Sequence, residues 1–363
     1  MSESHRDDTL TRRSFLRGST ALAGATVGAG LITSEAALAA EQPTAATPPA
    51  GFKPMNAPGK IVKVTKGNDF ASLMQQNQLW PKPEVARQML ETAMTTFTGA
   101  PNLKEALAKF ISKDDVVAVK VNGIAGQSGA TMAVNFELIQ PVVEGLVAMG
   151  VPPDKITVYE QYGSYLLGTR VGRKGNKLPD GVKTGIHGNA DAPMKPIKVF
   201  ERVDTRYVRF LTEATAVIDM TQIKDHSICG YTGCLKNMTH GSIVNPHEHH
   251  AHNASPQIAV LYAHDILKSR VRLHITDAFK IIYDKGPLDK DPKRRIPYGA
   301  VYVSTDPVAM DTIGWKVVEE ARKQNGLKTL TAAKREPTYI AKAAELGLGI
   351  HDVNKIRMKE VAI

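Results

Sequence analysis

An apolar run of mainly β-branched residues at positions 116–122, VVAVKVN, restricts the possible folds of this chain more than any other segment. Such a run is typical of a strand that is buried on both faces of a sheet. A helical pattern at 135–149 ends at Gly150, and a second apolar strand follows at 156–161. Because strand, helix and strand in this order form a parallel crossover unit, the sequence predicts an α/β fold.

Similar patterns continue along the chain and predict the rest of the sheet. Further strands are expected at 61–66, 215–220, 271–277, 299–304 and, at an edge, 355–361. Further helices are expected at 83–97, 255–267, 307–325 and 337–346. We expect a mainly parallel mixed sheet with helices on both faces, plus a small β-rich insertion formed by a surface stretch at 163–195 and a hairpin at 197–203 and 207–211.

The N-terminal residues predict where the protein is found. Residues 11–17 read TRRSFLR, and an apolar run and the small residues Ala37-Leu38-Ala39 follow. We expect 1–39 to be a twin-arginine signal peptide, 40–58 a flexible Pro/Ala-rich linker and 59–363 a single α/β domain. The apolar run is too short and too rich in glycine to be a stable membrane span. The mature protein is therefore expected in the periplasm or otherwise exported, with the twin-arginine translocase as its partner during export.

The formal net charge of +10 indicates the kind of partner that suits the protein. Nucleic acid is not expected as a partner, because exported proteins rarely meet it and basic and aromatic residues are not interleaved. An anionic small molecule or an anionic surface fits the charge better. A basic surface that serves only solubility is the alternative.

Polar residues stand at or just beyond the ends of several predicted strands. In an open α/β sheet the carboxyl ends of the strands form the usual binding cleft. The catalytic candidates, without assigned roles, are Lys120, Asn122, Lys224, His226, Lys236, Asn237 and Asp277. Glu160, Asp219 and Asp306 also end strands, although for Asp306 a role as the N-cap of helix 307–325 is favoured over a site role. For each lysine, a surface side chain is the alternative.

The segment 226–252 is unusually rich in metal-ligating side chains, with six of the eleven histidines and both cysteines. The candidate ligands for zinc, copper, nickel or iron are His226, His240, His247, His249, His250, His252, Cys229 and Cys234. A helix and an extended loop would each bring two or three of the imidazoles together, and a solvated histidine-rich loop is the alternative. The cysteines either form a disulfide, supply a thiolate ligand or pack as small core residues.

Five short motifs occur here in the order typical of a known family. They are VKVN at 119–122, IKDH at 223–226, TGCLKN at 232–237, ITD at 275–277 and STDPVAMD at 304–311. Over about two hundred residues the chain therefore resembles the family catalogued as domain of unknown function 362. The resemblance implies the fold and the site but no settled activity. Some relatives carry ferredoxin-type cysteine clusters, but this chain lacks the C-x₂-C-x₂-C pattern, so no iron–sulfur cluster is expected.

Two functions of different classes follow from these patterns. The first is an exported, metal-dependent enzyme that acts on an anionic small molecule in a cleft lined by Lys, His and Asp. The second is a non-catalytic periplasmic protein that binds a metal, a cofactor or an anion. The chain has no G-x-S-x-G, no G-x-G-x-x-G, no Walker loop and no H-E-x-x-H, which disfavours the corresponding hydrolases, dehydrogenases, NTPases and zinc proteases.

Overall fold

Strands and helices alternate along the chain in the manner of an α/β fold. The computed structural model describes residues 44–67, 69–129, 132–187, 192–200 and 203–363, and the predicted signal peptide lies outside these residues. The strands are β1 (Lys60–Thr65), β2 (Val117–Lys120), β3 (Ile156–Glu160), β4 (Lys183–Ile186), β5 (Ile197–Phe200), β6 (Val203–Thr205), β7 (Ala216–His226), β8 (Gly230–Thr232), β9 (Val271–Ile282), β10 (Arg295–Ser304) and β11 (Arg357–Ala362). The α-helices are α1 (Phe70–Leu73), α2 (Pro83–Thr98), α3 (Leu103–Leu107), α4 (Phe136–Ala148), α5 (Gly163–Gly168), α6 (Arg209–Thr212), α7 (Cys234–His240), α8 (Ser255–Ala263), α9 (Asp265–Lys268), α10 (Pro307–Gln324) and α11 (Tyr339–Glu345).

One nine-stranded mixed sheet organises the described part of the chain. Its order is β11-β1-β10-β9-β7-β2-β3-β4, and β8 pairs with the end of β7. β2 lies parallel to β3 and β7, and β7 lies parallel to β9. β10 runs antiparallel to both of its neighbours, β1 and β9. The predicted mainly parallel α/β fold is confirmed, and β5 and β6 form a separate two-stranded sheet.

Two large apolar cores pack against the sheet. Ile218 belongs to the core that contains Phe97 of α2 and residues of α4. Its neighbour Val217 belongs to the core that contains Met238 of α7 and Ile258 of α8. Successive side chains of a strand point to opposite faces, so the central strands are buried on both sides. This burial explains why residues 116–122 and 215–220 read as nearly continuous apolar runs.

The two strands nearest the centre extend beyond their predicted ends. β7 continues to His226 and β9 to Ile282, whereas the patterns predicted ends at 220 and 277. Lys224 and Asp225 therefore lie on a strand and not in the loop expected after Met220. Of the polar side chains on the added part of β7, Lys224 and Asp225 form hydrogen bonds in the interior.

The remaining differences concern short elements. The stretch 163–195, predicted as a surface insertion, contributes β4, which extends the main sheet beyond β3. Residues 209–212 form α6, so the predicted second hairpin strand at 207–211 is wrong and β6 pairs with β5 instead. The single helix predicted at 255–267 is two helices, because His264 between α8 and α9 has an extended backbone.

The described residues of the predicted linker lie against the sheet and its helices. The backbone N–H of Ala46 donates to Ser269 Oγ at 2.9 Å, and that of Met55 donates to the Lys109 carbonyl at 2.7 Å. These contacts hold the segment from residue 44 onward along the surface of the α/β unit. Among the residues that the structure describes, no helix is both long and apolar enough to cross a membrane.

Asp306 has the role of a helix cap. Its Oδ1 accepts from the N–H of Ala309 at 2.8 Å, and its Oδ2 accepts from Gly59 N at 2.8 Å and from Ile350 N at 3.0 Å. Because β10 is antiparallel to its neighbours, its carboxyl end lies at the opposite edge of the sheet from the end of β7. Asp306 is therefore remote from the cleft expected at the carboxyl ends of the parallel strands.

Candidate functional site

A cavity of about 370 Å³ opens where β2, β3 and β7 end. This is the edge of a parallel sheet at which α/β proteins usually bind ligands. Of the catalytic and metal candidates named from the sequence, those that line the cavity are Lys120, Asn122, His226, Lys236, Asn237, His240, His247 and His250. The structure thus brings most of the predicted cleft together.

Two of the predicted cleft residues lie elsewhere. Lys224 is fully buried behind the cavity wall and donates a hydrogen bond to Asn122 Oδ1. Asp277 does not line the cavity: its Oδ2 accepts from Asn135 N at 2.7 Å and from Asn135 Nδ2 at 2.8 Å. Asn135 immediately precedes α4, so Asp277 holds the start of that helix against β9.

The loop before α7 is shaped by a buried carboxylate. Asp311 of α10 accepts from Cys234 N at 2.6 Å and from Leu235 N at 3.1 Å. Gly233 makes this approach possible, because a Cβ at that position would lie 2.1 Å from Asp311 Oδ1. The contact sets the direction of the first turn of α7, which places Lys236 and Asn237 at the cavity.

The floor of the cavity contains a closed hydrogen-bond network. Lys120 Nζ lies 3.0 Å from Glu160 Oε2 and donates to Asn237 Oδ1 at 3.3 Å. Asn122 Nδ2 donates to the same oxygen of Asn237 at 2.9 Å. Glu160, which no sequence motif had singled out as a site residue, also accepts from Gly123 N at 3.0 Å. The charge of Lys120 is therefore compensated inside the protein.

Lys236 presents the opposite situation in the same cavity. Its side chain is buried, with 8% of the residue exposed. Within the described parts of the chain, no oxygen accepts a hydrogen bond from its ammonium group and no carboxylate pairs with it. Burial lowers the pKa of Lys236. Thr232, which lines the same cavity, has a buried Oγ1 that is equally without a hydrogen-bond partner.

Lys224 has a strongly perturbed pKa. Burial lowers the pKa of Lys224 to about 7, against a smaller opposing effect of Glu160 and with further lowering by Lys120 and Lys236. Three lysines lie close to one another here, and their charges are opposed by Glu160 and, more weakly, by Asp289. Such perturbed groups beside a cavity are typical of functional sites.

The hydrogen bonds of the histidines determine which ring nitrogens are available. His226 Nδ1 accepts from Ile228 N at 3.1 Å and from Cys229 N at 3.3 Å, so the ring proton is on Nε2. His250 Nδ1 lies 2.7 Å from the carbonyl oxygen of Pro246 and must donate, which leaves a lone pair on Nε2. The two rings are stacked with centroids 5.9 Å apart. The cavity wall thus offers one imidazole donor and one imidazole acceptor.

These imidazoles are uncharged near neutral pH. Burial, and next the charge of Lys236, lowers the pKa of His250 to about 4. The same two causes, in the same order, lower the pKa values of His226 and His240 well below the ordinary value. His240 Nε2 donates to the His249 carbonyl at 3.0 Å, so this nitrogen is already in use.

The other metal candidates lie outside the cavity. His249 is buried with Nε2 3.2 Å from Thr205 Oγ1, and His252 is exposed with a φ of 51°. Cys229 and Cys234 are both free and buried, so no disulfide joins them. Burial raises the pKa of the Cys229 thiol to about 11. At neutral pH this thiol is protonated and packs as a small core residue.

Among the described residues, three metal-ligating side chains come within 4.8 Å of one another at Asp219, Cys234 and His274. Asp219 Oδ2 accepts from His274 Nδ1 at 2.8 Å, and the hydroxyl of Tyr262 donates to His274 Nε2 at 3.2 Å. A metal ion here would replace the hydrogen bond between Asp219 and His274. Cys234 was predicted as a ligand, whereas His274 was missed. His274 lies opposite Asp219 in the pairing of β7 with β9, and a single sequence does not contain this pairing.

Comparison with known proteins relates this geometry to a family. The family described as "Domain of unknown function (DUF362)" matches residues 117–316, a segment that contains the whole of β2 through β10 and most of the cavity wall. No curated protein matches the chain significantly.

Proposed function

This chain belongs to the DUF362 family, whose description names no activity, and we propose from its geometry that it binds a small anionic molecule in the cleft around Lys236. The observation that carries the proposal is the ammonium group of the largely buried Lys236 side chain, which lines the cavity and lacks a partner within the described residues. A buried, unpaired cation costs free energy, and a bound anion offsets that cost.

The other groups of the cavity support the same ligand. Glu160 is the one acidic residue among the described residues of the cavity wall, and it already pairs with Lys120. The Nε2–H of His226 adds a donor, and the hydroxyl of Thr232 has no competing partner in the described part of the chain. An anion in this cleft therefore meets donors and a positive charge, with little repulsion from acidic groups.

Calorimetric titration with inorganic phosphate and with acetate tests the proposal. We expect binding by the wild type and a loss of at least tenfold in affinity in Lys236→Met, because charge-assisted hydrogen bonds contribute about 1.5–3 kcal/mol. Lys316→Met is the matched control, since it removes the same charge from an exposed position on α10. Equal affinity in the two variants, or no binding of either anion by the wild type, would overturn the proposal.

His250 supports turnover over mere storage. Its Nε2 lone pair beside the anion site is a proton acceptor in the correct protonation state at neutral pH. His250→Gln removes this base and leaves Lys236 in place. If His250 is the base of an enzyme, this variant keeps its affinity for the anion and loses conversion of an anion that the wild type converts, as followed by mass spectrometry. A variant that converts that anion at the wild-type rate would contradict a role of His250 as the base.

A bound transition metal is the second candidate function, favoured by the proximity of Asp219, Cys234 and His274. Cys and His are ligands for zinc, copper and iron, and carboxylate completes such sets. Metal analysis of protein purified without a histidine tag tests it in three forms: wild type, Cys234→Ser, and the rim variant His247→Ala with His250→Ala. Loss of metal only in Cys234→Ser supports the buried group, and loss only in the rim variant supports the histidine-rich rim. A metal-free wild type that takes up no zinc, copper, nickel or iron contradicts both.

We also propose that the protein is exported, and residues 11–39 support this by their twin-arginine motif, apolar run and small residues at the expected cleavage site. Changing Arg12 and Arg13 together to Lys is expected to leave the precursor in the cytoplasm. Fractionation of cells and immunoblotting measures the distribution. Normal export of the double variant would exclude the twin-arginine route.

A further inference from the structure

We propose that the ligand of the cleft is an amphipathic organic anion, with its anionic group on the buried floor and an apolar chain or ring at the mouth. This inference rests on the proposed function, because it assumes that the cleft binds an anion. It adds the chemical class of the ligand, and it follows from how polar and apolar side chains are distributed with depth.

The deepest described residues of the cavity are polar. Lys120 is fully buried, and Asn122, Thr232, Asn237 and Lys236 are exposed by 8% or less. Two of these, Thr232 and Lys236, lack partners within the described chain, and they are the groups left for a ligand oxygen. The floor thus matches a carboxylate or phosphate group in size and charge.

The rim of the same cavity combines apolar side chains with the imidazoles of His247 and His250. Ile228, at the turn between β7 and β8, is 38% exposed, and Pro287 and Leu288 of the loop after β9 are half-buried. Across the cavity wall, Tyr162 and Tyr165 are half-buried with their rings edge to face, 5.0 Å between centroids. These elements come from separate parts of the chain and line the same opening.

This distribution is the reverse of the usual one, in which apolar side chains lie deeper than polar ones. A bare inorganic anion would form hydrogen bonds with the floor but would leave the apolar side chains of the rim exposed to water. A ligand with an anionic head and an apolar body would satisfy the floor and also remove the rim from water, which stabilises the complex in proportion to the buried area. The cavity volume of about 370 Å³ lies in the range of small-molecule sites.

Titration with straight-chain carboxylates from acetate to hexanoate tests the inference. We expect the affinity to rise by about fourfold for each methylene group that packs against the apolar side chains of the rim, the increment for burying one methylene. The variant Ile228→Ser with Leu288→Ser should lower this increment and leave the affinity for acetate unchanged. Val353→Ser, at an equally exposed position distant in the sequence, is the matched control. Methyl to butyl phosphates, used in parallel, identify which head group the floor prefers.

The outcomes separate this inference from the proposed function. If acetate and phosphate bind but the longer acids bind no more tightly, the amphipathic ligand is wrong and the anion site stands. The same conclusion follows if Ile228→Ser with Leu288→Ser lowers the affinities for acetate and hexanoate by the same factor. If no member of either series binds, or if Lys236→Met binds all of them as the wild type does, the anion site itself is wrong.

Discussion

Two charged clusters lie next to each other at the end of β7 and differ in how their charges are partnered. Asp225 belongs to the first, in which its Oδ1 lies 2.8 Å from Arg335 Nη1 and its Oδ2 accepts from Gly286 N at 3.1 Å. Arg322 of the same cluster pairs with Asp284 at 2.8 Å. The neighbouring residue His226 lines the second cluster, the cleft that contains Lys236.

The comparison separates charges that stabilise the fold from the charge of Lys236, which we propose to bind a ligand. Around Asp225, two arginines and a backbone N–H offset part of the loss of hydration of the buried carboxylate, although burial still raises the pKa of Asp225 to about 6. Lys236 has the same loss of hydration without that compensation within the described residues. A local violation of this kind is expected at functional sites, where stability is given up for binding. We therefore expect variants that break the Asp225 cluster to lower the free energy of unfolding, and removal of the Lys236 charge to raise it.

The largest effect is expected from breaking the paired cluster. Arg335→Met should lower the free energy of unfolding by about 3 kcal/mol, because it leaves the buried carboxylate of Asp225 undercompensated. Urea unfolding followed by circular dichroism measures this change. Arg87→Met is the control, since its partner Glu144 lies in a partly exposed pair and such pairs contribute less than about 1 kcal/mol. Equal effects of the two changes would remove the distinction between the clusters.

The second effect has the opposite sign. Lys236→Met should raise the free energy of unfolding by about 1–2 kcal/mol without ligand, because it replaces a buried unpaired ammonium by an apolar side chain. Lys120→Met in the same cleft is the matched control and should destabilise the protein, because it leaves the buried carboxylate of Glu160 without its charged partner. If both lysine variants destabilise alike, Lys236 has a structural partner and the comparison fails.

A smaller effect is expected at the unsatisfied hydroxyl of the cleft. Thr232→Val should stabilise the free protein by about 1 kcal/mol, since a buried hydroxyl without a partner is replaced by a methyl group of the same shape. Thr239→Val, which removes a hydroxyl that donates to the Leu235 carbonyl at 2.9 Å, should be destabilising by a similar amount. Thermal unfolding of both variants in anion-free buffer gives the two signs, and a destabilised Thr232→Val would refute the prediction.

The smallest expected effect is a change in the free energy of unfolding with pH. The folded-state pKa of Lys224 is about 7 and its ordinary value is 10.5, so between these values the unfolded chain binds more protons than the folded one. The contribution of Lys224 to the free energy of unfolding therefore rises as pH increases from about 7 to about 10.5. Lys224→Met should flatten the stability curve of the wild type over that window. Parallel curves for the two proteins would show that Lys224 titrates normally.

Much of the site was predictable from the sequence, and particular residues show why. Lys120 and Asn122 end a strand that its apolar pattern reveals, and parallel strand ends share one edge of a sheet. Asp306 shows the limit of that rule: it also ends a strand, but β10 is antiparallel and its end lies at the other edge. Strand direction depends on the crossover connections, which the apolar pattern does not record.

The histidine-rich segment shows a second limit. Neither a regular helix nor an extended loop describes Pro246–Ala254, because His252, Asn253 and Ala254 have φ values of 51°, 58° and 60°. Before this change of backbone conformation, His247 and His250 both line the cavity, as the i,i+3 spacing of a helix predicts, whereas His249 contacts Thr205. A periodicity argument does not predict the change at His252, since it assumes that one backbone conformation continues through the segment.

The sequence by itself determined the α/β class, the positions of the main strands and the presence of lysine, asparagine and histidine where those strands end. These properties are local, because a strand that is buried on both faces needs apolar residues at consecutive positions. Only the tertiary structure decided that Lys120 is paired and that Lys236 lacks a partner within the described residues. Glu160, the partner of Lys120, lies 40 residues away in the chain and reaches it through the pairing of β2 with β3. Two lysines that look alike in the sequence thus differ because charge compensation depends on neighbours in space, which the order of residues does not specify.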